Sequence, residues 1–253
     1  MTARHKSEPK KPLHKIFTAV PPRYDRVNHI ITLGLDSLWR RKTARVCLSA
    51  KPVKMLDLCC GTGDLAINIA GLADYALEIT GIDYSLPMLE IANRKAERST
   101  SREKISFIHA DVADLPFPDG YFDGIGISFA FRNLTYKNPL TPRYLAEILR
   151  VLGPNGLFII VESSQPRSRL IRKLFRFYLR WFVFPLGYLV SGNRPAYRYL
   201  TESAARFYTA EELSKLLVKA GFREVSFQRL FFGATAIHVA TRSGVRPSAG
   251  GLC

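Results

Sequence analysis

The sequence predicts a doubly wound α/β fold, a mostly parallel sheet of seven strands with one antiparallel strand and helices on both faces. Three observations predict it. Apolar strand segments alternate with helical periodicity from Val53 onward. A glycine turn, Gly61-Thr62-Gly63, joins the first strand to the first helix of that rhythm. The last two strand segments follow one another without a helix, which calls for an antiparallel strand at the end of the sheet.

The elements follow in order. Residues 53–58 read as a buried strand and 65–72 as a helix with Leu65, Ile69 and Leu72 on one side. Strands are expected at 77–82, 105–109, 122–128 and 157–161, with helices at 86–98 and 140–151. A helix at 210–220 is entered by Thr209-Ala210-Glu211-Glu212, which has capping-box spacing, and Gly221 suits its C-terminal end. Strands at 224–230 and 236–241 complete the set. Two segments stand outside the rhythm: a helical N-terminal extension at 16–49 and an insertion at 163–208. The expected organisation is a disordered basic tail at 1–15, one domain at 16–242, and a flexible Gly/Ser/Pro-rich tail at 243–253.

Composition narrows the partners. There are 37 Lys and Arg against 21 acids, a net charge of +16, which favours anionic partners such as nucleic acid, an acidic membrane or an anionic ligand. Cys47, Cys59, Cys60 and Cys253 make no C-x-x-C pair, so no metal site is expected and reduced thiols fit a cytoplasmic protein. The first residues are basic and polar, unlike a secretory signal. No apolar run approaches the roughly 20 residues that span a bilayer.

Acids at successive strand ends carry the chemistry. Asp57 lies in the first strand, and Asp64 follows the Gly61/Gly63 turn. A bare G-x-G also opens dinucleotide loops, and Ala66 passes as a relaxed third position. Two carboxylates beside a pyrophosphate would repel it, however, and they suit a cationic amine and sulfonium. Asp83 ends the second strand, where an acid accepts ribose hydroxyls, and Asp111 follows the third, where an acid can accept the adenine amine. Together these acids point to S-adenosylmethionine.

Beyond these motifs, residues 16–241 resemble the ubiquinone/menaquinone biosynthesis C-methyltransferase family, which has the Rossmann-like class I methyltransferase fold. The resemblance rests on Phe17-Thr18-Ala19-Val20-Pro21-Pro22-Arg23-Tyr24-Asp25-Arg26-Val27-Asn28, Leu33-Gly34-Leu35 with Trp39-Arg40, and Ser128-Phe129-Ala130-Phe131-Arg132-Asn133-Leu134-Thr135. Glu162-Ser163-Ser164-Gln165-Pro166 and Tyr197-Arg198-Tyr199-Leu200-Thr201-Glu202-Ser203 complete it. Ala130-Phe131 stands where the family usually has Gly-Leu, and Gly153-Pro154-Asn155-Gly156 replaces its Lys-Pro-Gly-Gly turn.

The resemblance implies donor contacts at Thr62, Asp83, Asp111, Val112 and Ser128, which join Asp57, Gly61 and Gly63 of the turn. It implies methylation of a ring carbon in a reduced polyprenyl quinone, demethylmenaquinol or a 2-polyprenyl-6-methoxy-benzoquinol, without a metal. A hydroquinone hydroxyl loses its proton and the neighbouring carbon attacks the sulfonium methyl in line. Alignment of the reactants supplies much of the rate. Arg132 is the first candidate to stabilise the phenolate or to orient a water that takes the proton, with Asn133 fixing its geometry. Tyr24, Asp25, Glu162, Tyr197 and Tyr199 are further pocket candidates, each with a structural hydrogen bond as the competing role. His238 fits a satisfied sheet residue better than a catalytic base.

In the insertion, Leu170, Leu174, Phe177, Tyr178 and Trp181 fall on one helical face and Arg169, Arg172, Lys173, Arg176 and Arg180 largely on another. Such a helix either seeks an acidic membrane surface as a peripheral anchor or packs as a lid with solvated charges. Two other functions stay open: a same-fold methyltransferase acting on RNA or another small molecule, and a donor-binding assembly module without turnover. Nucleic acid is not favoured, because no catalytic Cys or Asn-Pro-Pro-Tyr-like motif is present. A homodimer is compatible with the sequence.

Overall fold

The computed structural model describes residues 24–244. The expected tail at 1–15, most of the first family motif, most of the C-terminal tail and Cys253 therefore lie outside the described residues. Seven strands form one sheet: β1 (Lys54–Leu58), β2 (Glu78–Asp83), β3 (Ile105–His109), β4 (Phe122–Ser128), β5 (Leu152–Ser163), β6 (Phe222–Leu230) and β7 (Thr235–Arg242). Their order is β3-β2-β1-β4-β5-β7-β6. The first five are parallel, and β7 runs antiparallel to both neighbours, β5 and β6.

Alternation along the strands builds two core layers. Leu56, Ile125, Phe158 and Ile160 face one side with Leu145, Ile148 and Leu217. Met55, Ile79, Ile159 and Val161 face the other with Ala44, Leu65 and Ile69. Sheet helices include α3 (Asp64–Leu72), α4 (Leu86–Glu97), α6 (Thr141–Val151) and α10 (Ala210–Lys219). The capping box at Thr209 and Glu212 is formed in both directions. The Gly153–Asn155 stretch interrupts β5 as a bulge, so Phe122 pairs with Leu152 but Gly124 with Leu157.

The N-terminal extension is helical where described, as α1 (Tyr24–Ile31) and α2 (Leu35–Cys47). The insertion is helical too: α7 (Arg169–Tyr178), a π-helical turn (Leu179–Val183), α8 (Phe184–Ser191) and α9 (Arg194–Arg206). A third apolar cluster joins the two segments: Val27 and Ile31 of α1 pack with Leu179, Val183, Tyr197 and Ala204. α1 and the insertion thus pack as one unit, while Ala44 and Cys47 of α2 belong to the second core layer. Among the described residues no helix is long and apolar enough to cross a membrane.

Two sequence expectations for the insertion need correction. Tyr178 does not belong to the exposed apolar row, because its hydroxyl donates to the Ile31 carbonyl at 2.5 Å and its ring turns inward. Arg172 is not a free surface cation, because its Nε donates to the Pro166 carbonyl at 2.9 Å.

Candidate active site

The acids expected to hold the donor converge at adjacent strand ends. Register places Asp57 opposite Gly81 on β2 and Gly126 on β4, and Asp83 at the end of β2. Between β1 and α3 the chain turns through Gly61 (φ 55°) and Gly63 (φ 78°). A side chain at Gly63 would strike Phe107, with its Cβ 2.7 Å from the ring. At Gly61 a Cβ would meet nothing within 4 Å, so that backbone faces open space a ligand can enter.

The two oxygens of Asp83 accept the Gly61 and Ser85 N–H groups at 2.9 and 2.8 Å. The Tyr84 N–H also reaches this carboxylate, and of its roughly four acceptor positions one is left for a ribose hydroxyl. Burial raises its carboxyl above the usual range, against those N–H bonds. Asp111 accepts the Ala113 N–H at 2.9 Å and so shapes the turn holding the buried Val112. Ser128 Oγ is buried with no protein partner. These features fit a cationic adenosyl donor.

Asp57 is 1% exposed. Its Oδ2 accepts the Ala66 N–H at 2.9 Å, and its Oδ1 has no protein partner. Burial, then Asp64 and Asp83, push its carboxyl up to about 8, opposed by the Ala66 bond. The folded state therefore holds this proton more tightly than the unfolded chain. Stability from this group is fullest below about pH 4 and declines as pH rises toward about 8. A cationic ligand favours the carboxylate, so donor binding should strengthen as pH rises toward 8 and should release a proton. Calorimetry in buffers of different ionisation heat measures this. Flat affinity from about pH 6 to about pH 8, matched by Asp57→Asn, would remove the titration.

Not every expected donor contact faces the donor freely. Asp64 does not offer a bare carboxylate, since it pairs with Lys95 and lies 3.6 Å from Arg40. Thr62 is buried, and its hydroxyl donates to Asp25 at 2.7 Å. Lys95 carries no motif in the sequence; only folding reveals it.

The candidates for catalysis lie one strand over. The chain leaves β4 through Phe129, at φ 55°, and enters the short helix α5 (Phe131–Thr135). Arg132 projects from α5 and is 6% exposed. Its guanidinium donates to Glu162 Oε1 and Ser163 Oγ, both at 3.0 Å, and its backbone N–H donates to Glu162 Oε2 at 3.0 Å. Glu162 is thus the buried partner of Arg132. Tyr197 is a buried packing residue of the third cluster. His238 lies in the sheet and is only half satisfied: its Nε2 is bonded to the Ala210 carbonyl at 3.0 Å, its Nδ1 is buried without a protein partner, and burial lowers its pKa. Nothing is described of the Tyr24 side chain.

Beside Arg132 opens an apolar cavity of about 290 Å³. Trp39, Phe129, Phe175 and Leu200 wall it, and Arg132 and Tyr199 supply polar edges. Of its lining, Arg132 Nε and Tyr199 Oη are buried without protein partners, as are Asn133 Oδ1 and Tyr136 Oη on and just after α5. Burial raises the Tyr199 phenol, with Arg132 opposing and Glu162 adding to the shift. Such concentrated unmatched polarity is rare in a finished core and marks a place built for a polar ligand.

The model of the ubiE/COQ5 methyltransferase family matches residues 4–242. The demethylmenaquinone methyltransferase of Thermus thermophilus is 40% identical over 227 residues, 90% of this chain and 100% of that protein. The Thermotoga maritima protein of the same name is 38% identical over 231 residues, 91% and 96% of the two chains. Among solved structures, a possible histamine N-methyltransferase of Thermotoga maritima aligns with TM-score 0.62 at 21% identity, covering 90% of this chain and 99% of its own. The [4+2]-cyclase SpnF aligns with TM-score 0.60 at 22% identity, covering 82% and 81%. These structures share the fold alone. The family match and the full-length relatives place this chain in the ubiE/COQ5 methyltransferase family, as an S-adenosylmethionine-dependent C-methyltransferase.

Proposed function

We propose that the acceptor is the reduced ring of a demethylmenaquinone bearing a polyprenyl tail, and that it sits in the cavity beside Arg132. The observation that carries this reading is a largely apolar cavity whose polar residues, Arg132 and Tyr199 among them, lie next to the strand end bearing Ser128. The relatives' names favour the naphthoquinol. The donor, when bound, supplies an electrophilic methyl group on sulfur.

The chain's own residues supply the rest. Asp57, Gly61, Thr62, Gly63, Asp83, Asp111, Val112 and Ser128 hold the donor at the strand ends. Trp39, Phe129 and Leu200 enclose the ring and exclude water, which strengthens every charge interaction inside. Arg132 favours the ionised ring hydroxyl, and Glu162 fixes its guanidinium plane. Asn133, Tyr199 and Asp25 position the reacting partners. The exposed face of α7 rests reversibly on the acidic surface of the membrane that holds the tail, placing the protein at its cytoplasmic side.

A transfer assay with labelled donor tests the acceptor, using demethylmenaquinol and the corresponding 6-methoxy-benzoquinol, both reduced. The expected kcat/KM is at least about tenfold higher on the naphthoquinol, since one ring must be left poorly packed. Preference for the benzoquinol would reassign the substrate, and transfer to neither would sink the quinol reading.

A further inference from the structure

The N-terminal helix touches both halves of the site, and one lysine holds it there. In the first turn of α1, Asp25 Oδ1 accepts the Thr62 hydroxyl at 2.7 Å and Oδ2 accepts Lys95 Nζ at 2.9 Å. Lys95 Nζ also donates to Thr62 Oγ1 at 3.2 Å and pairs with Asp64. Thr62 belongs to the donor turn, Asp64 opens α3, and Lys95 lies in the last turn of α4. Asn28 and Ile31, nearer the other end of α1, line the acceptor cavity. The Ile31 carbonyl is also where Tyr178 of the insertion is anchored.

A helix of this length is about 12 Å of stiff rod. Movement at Asp25 is therefore carried to Asn28 and Ile31. Lys95 decides whether Asp25 stays down, because it is the cation shared by the carboxylates of Asp25 and Asp64. Without it Asp64 keeps Arg40 at 3.6 Å, while Asp25 loses its cation and is left, among the described residues, with the Thr62 hydroxyl alone. Both partners are only partly buried, so the bridge adds little to bulk stability and is suited to adjustment.

We infer that Lys95 is a positioning residue that couples donor binding to closure of the acceptor cavity. A donor that orders the Gly61–Gly63 turn fixes Thr62. Lys95 then clamps Asp25 onto that turn, and α1 holds the cavity wall and the Tyr178 anchor in place. This rests on the acceptor assignment above only for which ligand enters the cavity.

Amide hydrogen exchange of residues 24–33 tests it without any methyl transfer, using S-adenosylhomocysteine as the probe. In the wild-type protein the probe should slow exchange about tenfold, within the usual range of coupling between sites. Lys95→Met should bind the probe by calorimetry and melt within a few degrees of wild type, yet show no slowing. Lys95→Arg should restore the slowing, and Asp25→Asn should abolish it. In turnover, Lys95→Met should raise the quinol KM about tenfold and leave the donor KM within about threefold. Equal slowing in wild type and Lys95→Met, or none in wild type, overturns the inference. An intact exchange response in a protein that methylates neither quinol would support the clamp and remove only the substrate reading.

Discussion

Replacing Arg132 with alanine is expected to destabilise the fold by about 3–5 kcal/mol, because it strands a buried carboxylate. Glu162 is 1% exposed, and its cationic partner is the Arg132 guanidinium at 3.0 Å. Two backbone N–H groups, of Arg132 and Ser163, still reach Glu162 in that variant and temper the loss. The alanine variant therefore mixes folding with catalysis. Arg132→Lys separates them, since it keeps the charge and loses the planar fork. It should keep donor affinity within about twofold and melt near the wild type, while kcat falls on the order of a hundredfold, the scale of losing one oriented donor to developing charge. The double variant Arg132→Met with Glu162→Gln removes both charges and should fold, with kcat lowered at least as far. Urea denaturation and single-turnover rates at saturating quinol check these outcomes. Wild-type turnover by Arg132→Lys would leave Arg132 as the structural partner of Glu162 and nothing more.

The fold and half of the site were legible because they are written locally. Strand ends, the Gly61–Gly63 turn, and acids at Asp57, Asp83 and Asp111 depend on period and on neighbours a few residues away. The capping box at Thr209 was legible for the same reason. What was hidden depends on contacts distant in sequence. Lys95 meets Asp25 across 70 residues, and Tyr178 meets Ile31 across 147. Arg132 was visible as a cation, but its pairing with Glu162, 30 residues on, turned it from a free charge into half of a buried pair. Periodicity grouped Tyr178 with the outer row of its helix, although a phenol at the margin of such a row can turn either way. A carbonyl at the end of α1 decided it. Asp64 shows the converse, a correctly placed acid whose charge is spent on Lys95.

Binding to acidic vesicles should exceed binding to neutral ones and should fall steeply with salt. Leu170, Leu174, Phe177 and Trp181 are 59–67% exposed along one line of α7 and its π-helical continuation. An outward row of four large apolar side chains lacks the cover expected of a lid packed on its own protein. Arg169, Lys173, Arg176 and Arg180 lie beside it and are exposed. The other face of the same helix carries Phe175 and Leu179 into the acceptor cavity, so seating the row in lipid would bring the cavity to the surface where a polyprenyl tail resides. Each arginine near an acidic surface contributes about 1 kcal/mol. Substituting Arg169, Arg176 and Arg180 with Gln should therefore weaken binding to acidic vesicles about a hundredfold and leave neutral-vesicle binding unchanged. Arg172 is kept, because it holds the Pro166 carbonyl. Trp181→Ser should weaken binding to both vesicle types, since an interfacial aromatic acts without regard to headgroup charge. Activity on a short-tailed quinol should survive all four changes. Cosedimentation at about 0.05 M and about 0.5 M salt reads the outcome, because the screening length falls several-fold across that range. Vesicle binding that ignores salt and the triple substitution would return α7 to a solvated lid, and the row Leu170 to Trp181 would then need a protein to cover it.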